Sequence, residues 1–374
     1  MNTQIRTVLF TGGHVTPALA VIDILQKEQS DVRILFAGRS YTEKSNIPSF
    51  EYQEITHRKI PFFHIRAGRM NRSVSLATVV EIVKIPLGFF DVIRVLLREK
   101  PNLIVSFGGY IALPVSIVSS LFGIPIVTHE QTIRPGLANR IIGHLAKRVF
   151  TSFPESAQYF SKGKVEVSGN PMRRFASTSE GSREQVESSR PLIYVTGGSL
   201  GSHAINTHIE HILPTLLASY HLVHQTGNIQ EYGDFERLTQ LKKTLPHELA
   251  REYEIFEHVD SEKVGKYFKN ADLIVTRSGA NTFFEIILFQ KPAILIPLPW
   301  SAFDEQRLHA HILKNAGVAD IFEQEDDSQK LLTMIQSIVS TPNTYGQSFS
   351  SLARTYSTNG AHTLAQAVAQ ELHR

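Results

Sequence analysis

The sequence predicts a doubly wound α/β fold built twice, and three observations predict it. Short apolar runs alternate with helical stretches along most of the chain. Two of those runs, 7–10 and 192–195, pass straight into glycine turns. The stretch 272–300 compresses a whole strand, turn, helix and strand into one unit.

In that unit Leu273-Ile274-Val275-Thr276 reads as a buried strand and Arg277-Ser278-Gly279-Ala280 as a tight turn. A helical segment carrying Glu285 follows, and then, after Gln290-Lys291-Pro292, a second strand from Ala293 to Pro297. Parallel sheets are wound from such units, and their ligand crevices lie at the carboxyl ends of the strands. Backbone N–H groups at a helix start suit a phosphate, and a carboxylate one turn inside can accept from sugar hydroxyls. A nucleotide sugar would fit. Thr282-Phe283-Phe284-Glu285 also has the spacing of a capping box, in which Thr and Glu close the helix start on each other's backbone N–H. Spacing alone favours the capping role, and only the motifs elsewhere in the chain favour the sugar-binding one.

Taken in order, Thr7-Val8-Leu9-Phe10 is a strand, Thr11-Gly12-Gly13-His14 a glycine turn, and 17–25 a helix with Pro17 in its first turn. Strands follow at 32–36, 103–106, 125–128, 148–151 and 165–167, with helices between them, notably 76–97 and 112–121. The first domain is expected over 1–172, closing at Ser168-Gly169-Asn170-Pro171. From 173 to 190 apolar content falls and Ser, Glu, Gly and Arg rise, which marks a linker. The second domain, 191–354, opens with Leu192-Ile193-Tyr194-Val195 and its own turn, Thr196-Gly197-Gly198-Ser199-Leu200-Gly201. Its further strands are expected at 222–225, 253–256, 273–276 and 293–297. The tail, about 355–374, has helical periodicity and is expected to pack back on the first domain. Two such halves predict paired Rossmann-like domains facing a cleft.

At 374 residues, 42% hydrophobic and 20% charged, the chain has the composition of a globular protein with room for two cores. It has no cysteine, which excludes disulfides, thiolate metal sites and a Cys nucleophile. Its first six residues lead directly into a strand, so no secretion signal is expected. Residues 106–128 carry no charge, yet Pro114, Gly123 and Pro125 divide them into a helix and a strand rather than a membrane span. A net charge of +3 gives no case for nucleic acid. Basic residues are nonetheless concentrated: Arg58, Lys59, His64, Arg66, Arg69 and Arg72 lie between His57 and the apolar stretch 74–97, which holds Phe89 and Phe90. A basic-apolar segment around Arg66 to Phe90 suits an anionic membrane surface, and equally a solvated loop before a core-facing helix.

Four strand-end turns carry the candidate chemistry: 11–14, Phe107-Gly108-Gly109-Tyr110, 196–201 and Ser278-Gly279. Glycine there lets backbone approach a phosphate closely. A dehydrogenase would need an acid at the end of its second strand, but Phe36-Ala37-Gly38-Arg39 and His224-Gln225-Thr226-Gly227 supply none. No P-loop pattern occurs. No Asp-x-Asp pair is present to hold a divalent ion on a diphosphate, and His203, His208 and His211 read as ordinary helix residues. A leaving diphosphate would then be neutralised by helix ends and an arginine, for which Arg173 after Gly169-Asn170-Pro171-Met172 is well placed.

Taken together, Thr11-Gly12-Gly13-His14 with Pro17, Gly108-Gly109-Tyr110, His129-Glu130-Gln131 with Pro135-Gly136-Leu137-Ala138-Asn139, Gly169-Asn170-Pro171 with Arg173, Gly197 to Gly201, and Arg277-Ser278-Gly279-Ala280 with Thr282 and Glu285 resemble the MurG family. These are peptidoglycan glycosyltransferases that add N-acetylglucosamine, from its UDP donor, to the undecaprenyl-linked muramoyl-peptide lipid I. The resemblance runs from Thr7 to about Phe322. It implies the two-domain GT-B fold and an inverting enzyme without cofactor or bound metal, peripheral on the cytoplasmic face of the membrane. It implies that Arg173 and Ser199 meet the donor diphosphate, Val259 the uracil, Glu285 the ribose and Gln306 the sugar, with Ala280, Asn281 and Thr282 beside them. Thr11, Gly12, Gly13 and Thr132 would also face the donor. The acceptor diphosphate would lie on Gly12, Gly13, Gly108, Gly109 and Tyr110. Inversion needs a base at the acceptor hydroxyl: His14 is the first candidate, as a group that titrates near neutrality, and Glu130 the second, though a strand-end carboxylate can also bond its own loop. The sequence departs from the family in a shorter first turn and in Thr132, where the family has Asn or Asp. These departures keep open a related enzyme using another sugar or lipid, and, from another class, a non-catalytic membrane adaptor.

Overall fold

The computed structural model describes residues 5–41, 48–66, 76–173, 175, 189–198, 200–227, 231–341, 345 and 348–374, and only the backbone of 76–85, 261 and 262. Ser199, Arg69, Arg72 and nearly all of the expected linker lie outside the described residues. The chain divides into two compact units, Met1–Arg173 with Tyr356–Arg374, and Arg174–Thr355.

The first unit runs β1 (Arg6–Thr11), α1 (Val15–Glu28), β2 (Val32–Gly38), α2 (Phe50–His57), β3 (Phe62–His64), α3 (Leu76–Glu99), β4 (Leu103–Ser106), α4 (Gly109–Leu121), β5 (Ile126–Glu130), α5 (Leu137–Leu145), β6 (Arg148–Thr151) and β7 (Val165–Val167). Its strands pair in parallel in the order β3-β2-β1-β4-β5-β6-β7. Strand periodicity sorts the side chains. Val8 and Phe10 join a core with α1 on one face, while Leu9 and Leu35 join one with α3 and α4 on the other. Both faces being covered explains why the central strands of this sheet are mainly apolar.

The second unit runs β8 (Leu192–Thr196), α6 (His203–Ser219), β9 (His221–Gln225), α7 (Asp234–Thr244), α8 (His247–Ala250), β10 (Tyr253–Phe256), α9 (Ser261–Asn270), β11 (Leu273–Thr276), α10 (Ala280–Phe289), β12 (Ala293–Leu295), α11 (Glu305–Asn315), β13 (Ala319–Ile321), α12 (Ser328–Ser340) and α13 (Phe349–Thr355). Its strands are again parallel, in the order β10-β9-β8-β11-β12-β13. The last helix, α14 (Gly360–His373), belongs to the first unit, where Ala361, Leu364, Ala365, Val368 and Leu372 enter the α1-side core.

Each sheet reverses its winding once, between β1 and β4 in the first and between β8 and β11 in the second. In open α/β sheets ligands bind at that point, beyond the carboxyl ends of the two strands. The four glycine turns singled out in the sequence follow β1, β4, β8 and β11.

One local reading needs correction. Thr282 does not cap α10: the helix starts at Ala280, with Gly279 in extended conformation as its N-cap and no side-chain cap bond. Glu285 therefore lies six residues into the helix, buried, and does not close its start. Gly279 wins because its backbone already accepts the first helical bond, from the Phe283 N–H at 3.0 Å.

Candidate active site: two strand-end half-sites

In the first unit the turns after β1 and β4 are bonded to each other, Gly13 N–H to the Gly108 carbonyl at 3.0 Å. Gly108 has φ +69°, and a Cβ there would meet the Asn139 amide at 2.5 Å. Only glycine combines that backbone with that contact. Gly109 and Tyr110 then open α4, and the Tyr110 hydroxyl accepts from the Arg39 guanidinium at 2.7 Å.

His14 is the N-cap residue of α1, yet its ring makes no capping hydrogen bond. That leaves the imidazole available for chemistry beyond the strand end. The pKa of His14 is lowered from the ordinary value by the protein around it, against an opposing pull from the Glu130 carboxylate. The residue still has an exposed surface, and the water reaching it moderates that lowering.

Glu130 ends β5, buried. One carboxylate oxygen accepts from the Thr132 N–H and lies 2.7 Å from the Thr132 hydroxyl; the other accepts from Asn139 Nδ2 at 2.6 Å. It thus holds the loop leading to α5 while presenting negative charge to His14. Beside it, His129 is fully enclosed. Burial pushes its pKa down to about 3, so the ring is neutral. His129 Nε2 lies 3.2 Å from the Ser152 hydroxyl and 3.4 Å from the Gly169 carbonyl. Three buried polar atoms here, Thr11 Oγ1, His129 Nδ1 and Asn139 Oδ1, have no hydrogen-bond partner among the described residues. Buried polar groups are normally paired, so this concentration marks a built site rather than a packed core.

In the second unit the turn after β8 packs backbone to backbone. Gly201 has φ +82°, and a Cβ there would sit 2.0 Å from the Thr226 carbonyl at the end of β9. Ser202 caps α6, accepting from the Ile205 N–H. The turn after β11 is braced by Arg277, buried, which donates to the carbonyls of Ile296 and Pro297, to the Ser202 hydroxyl at 2.7 Å and to Gln324 Oε1 at 2.6 Å. Burial lowers the Arg277 pKa to about 10, opposed by Glu325, so the guanidinium stays charged at neutral pH. It ties the end of β12 to the start of α6 under the glycine turn, and α6 and α10 both start at this edge. Two helix starts and a buried cation make an anion-receptive edge.

Ala280, Asn281 and Thr282 form the first turn of α10, and Glu285 lies a turn further in. Val259 is buried just before α9, with no hydrogen bond to its backbone among the described residues. Gln306, in the first turn of α11, accepts from the Leu298 N–H through Oε1 at 3.0 Å, and its carbonyl accepts from the Ser278 hydroxyl at 2.7 Å. Arg173 ends the first unit's first segment. The expected residues thus divide between two strand-end edges. Thr11 to His14, Gly108 to Tyr110, Glu130 and Thr132 lie in the first unit, and Val259, Ala280 to Thr282, Glu285 and Gln306 in the second.

Sequence reasoning gave no role to Asn139 or Arg277, although both lie in motifs it singled out. An Asn two residues into a helix and an Arg beginning a turn carry no signal of their own. Three of their partners, Gly108, Ser202 and Gln324, are distant in the chain, and Glu130, though only nine residues from Asn139, lies across a loop from it. Among the described residues no group of three or more His, Asp or Glu is placed to hold a metal ion.

Residues 7–151 match the glycosyltransferase family 28 N-terminal domain, and 192–367 the family's C-terminal domain. The chain is similar to a UDP-N-acetylglucosamine--N-acetylmuramyl-(pentapeptide) pyrophosphoryl-undecaprenol N-acetylglucosamine transferase of Clostridium perfringens, 31% identical over 334 residues and 87% of each chain. It is equally similar to a Bacillus cereus transferase of that name, numbered 2, 31% identical over 87% of this chain and 89% of the relative. Among solved structures, Acinetobacter baumannii MurG has the same two-domain GT-B fold, with a TM-score of 0.71 over 98% of this chain and 99% of its own, at 24% identity.

Proposed function

The chain belongs to glycosyltransferase family 28, and from that membership we infer that it transfers N-acetylglucosamine from UDP-N-acetylglucosamine to lipid I, the undecaprenyl-diphosphate-linked muramoyl-peptide. The observation that carries this reading is identity of 31% across 87% of the chain to transferases named for that reaction.

On this reading the donor lies on the second domain. Its diphosphate meets the starts of α6 and α10, where each helix end contributes about 0.3–1 kcal/mol at an exposed site and up to ~2 when partly buried. Ser199 and Arg173 add a hydroxyl and a cation, Glu285 takes the ribose hydroxyls, and the Val259 backbone takes the uracil. Gln306 keeps its Oε1 on Leu298 and turns its amide N–H groups to the sugar. The acceptor diphosphate lies on Gly12, Gly13, Gly108, Gly109 and Tyr110. His14 takes the proton of the acceptor hydroxyl as its oxygen attacks the anomeric carbon. The bond from that carbon to the UDP oxygen breaks on the opposite face, which inverts configuration. Glu130, fixed by Thr132 and Asn139, favours the imidazolium that results.

Lipid I is a membrane substrate, and α3 supports a peripheral contact. Its exposed stripe, Leu87, Phe90, Arg94 and Leu97, sets one basic residue among three apolar ones at helical spacing, with Phe90 61% exposed. No helix among the described residues is long and apolar enough to cross a membrane. The cytoplasmic face, where a UDP-sugar is available, is the side we assign. Replacing Leu87 and Phe90 by Ser should release the protein from anionic vesicles while leaving turnover of a water-soluble acceptor intact. Unchanged vesicle binding would remove α3 from the contact.

A further inference from the structure

Among the described residues of the second unit, the segment between β12 and α11 is where two consecutive non-glycine residues take left-handed backbone. Phe303 (φ 55°, ψ 24°) and Asp304 (φ 56°, ψ 32°) are consecutive left-handed residues, and neither is glycine. In that conformation an L side chain crowds the following carbonyl, so the surroundings must enforce it. They do so by a short ladder: Ser301 N–H to the Leu298 carbonyl at 3.1 Å, Asp304 N–H to the Ser301 carbonyl at 3.1 Å, Gln306 N–H to Ser301 Oγ at 3.3 Å, and Leu298 N–H to Gln306 Oε1. Arg277 holds the base of the segment through the Ile296 and Pro297 carbonyls, and Ser278 holds Gln306.

The bracing serves no core. Trp300, the only tryptophan of the chain, is 72% exposed, and Phe303 is 52% exposed. Large aromatic residues held rigidly in water at a strand end, with strained backbone beneath them, have no packing reason to be there. Their place in the fold supplies another. β12 neighbours β11, so this segment lies at the carboxyl edge beside the Ser278-Gly279 turn, and its next residues lead to Gln306, whose amide N–H groups have no partner among the described residues. An aromatic ring offers an apolar face to the C–H face of a pyranose, while an amide N–H donates to its hydroxyls; a sugar needs both.

We propose that residues 297–304 form the platform for the donor's pyranose ring, with Trp300 and Phe303 as its specificity-determining residues. The proposal rests on the donor reading above and deepens it: the second domain recognises the sugar through these aromatics as well as through Gln306. Trp300 is then also a built-in reporter, since any change in intrinsic tryptophan emission comes from this segment.

The experiment titrates the intact protein with UDP-N-acetylglucosamine, with UDP and with anionic lipid vesicles, following tryptophan emission, and measures both nucleotide affinities by calorimetry. The expected result is an emission change with UDP-N-acetylglucosamine and little with UDP. Trp300→Ala and Phe303→Gly should each raise the UDP-N-acetylglucosamine Kd about fivefold while leaving the UDP Kd unchanged. Glycine accepts the backbone conformation of Phe303, so the second variant removes the ring without disturbing the turn. Wild-type affinity for the sugar nucleotide in both variants would overturn the proposal, as would emission that answers to vesicles or equally to UDP. Failure of the wild type to bind either nucleotide would instead overturn the donor reading on which it stands.

Discussion

At the residue scale His14 carries the proposed proton transfer. Its ring is not spent on capping α1, and its pKa is lowered by the surrounding protein against the pull of Glu130. A base works in its neutral form, so a lowered pKa carries the acidic limb of kcat/KM below about pH 6.5, the ordinary histidine value. A pH profile that falls off above that value would contradict the assignment. Glu130 plays a different part. Its oxygens are engaged by Thr132 and Asn139, and Glu130→Ala leaves the buried Asn139 amide unpaired, at about 1–3 kcal/mol, and the half-buried Thr132 N–H without its acceptor. Thermal unfolding should therefore show a lower Tm for Glu130→Ala as well as slower turnover, where His14→Ala slows turnover with Tm maintained. His14 and Glu285 could be named as candidates from the sequence because each stands in a motif that follows a strand. The capping role offered for Thr282 and Glu285 was a misreading: the Thr-x-x-Glu spacing recurs anywhere in a helix, and only knowing that Gly279 already caps α10 excludes it.

At the scale of elements, the strand-end turns depend on backbone that side chains forbid. Gly108→Ala combines a left-handed backbone with a clash against Asn139, and the displaced amide would also loosen its grip on Glu130. We expect the variant to lose acceptor turnover while retaining UDP binding, measured by calorimetry. A second element-scale prediction lies away from the chemistry. His221, at the start of β9, faces Glu252 and Glu254 from the loop and strand beside it, with Nε2 3.0 Å from Glu254. Burial alone would lower its pKa, but those two carboxylates raise it. A raised folded pKa stabilises fully below the unfolded value of about 6.5 and is lost as pH rises through the folded value. The wild-type Tm should thus fall between about pH 6 and pH 8 more than that of His221→Gln. Parallel slopes would remove the pair from the stability account. Buried strands such as β4, β6 and β11 were legible to the residue, because their apolar or β-branched runs end in clear turn signals, and the less buried β7 and β10 lie at their expected bounds as well. β3 was not: its three residues sit within the basic segment, with Phe62 half-buried and His64 exposed, and only pairing with β2 makes them a strand. β13 is equally short and is fixed by β12.

At the scale of the whole molecule, the chain leaves the first unit after Arg173 and returns at Tyr356, so that unit is completed by the last residues of the chain. Gly360 and Gly169 close this return: a Cβ on Gly360 would meet the Gly169 carbonyl at 2.3 Å, and Asn170 N–H donates to the Ser357 carbonyl. Leu364, fully buried against the α1-side core, should cost about 2–5 kcal/mol when replaced by Ala. Denaturant unfolding checks this, and an unchanged midpoint would mean that α14 contributes little to the first unit. The duplicated α/β plan was legible because it repeats one pattern of apolar run and glycine turn. Which side chains meet at the strand ends was not, since Asn139 finds Gly108 and Arg277 finds Gln324 only through the winding of the sheets. The central claim is the transfer itself, and UDP release tests it most directly. The protein is given UDP-N-acetylglucosamine with and without a short-chain lipid I analogue, in EDTA, as wild type and as His14→Ala. The account predicts acceptor-dependent release that survives EDTA and falls by about 10²–10⁴ in the variant. Absence of acceptor-dependent release from a wild type that binds UDP would contradict it.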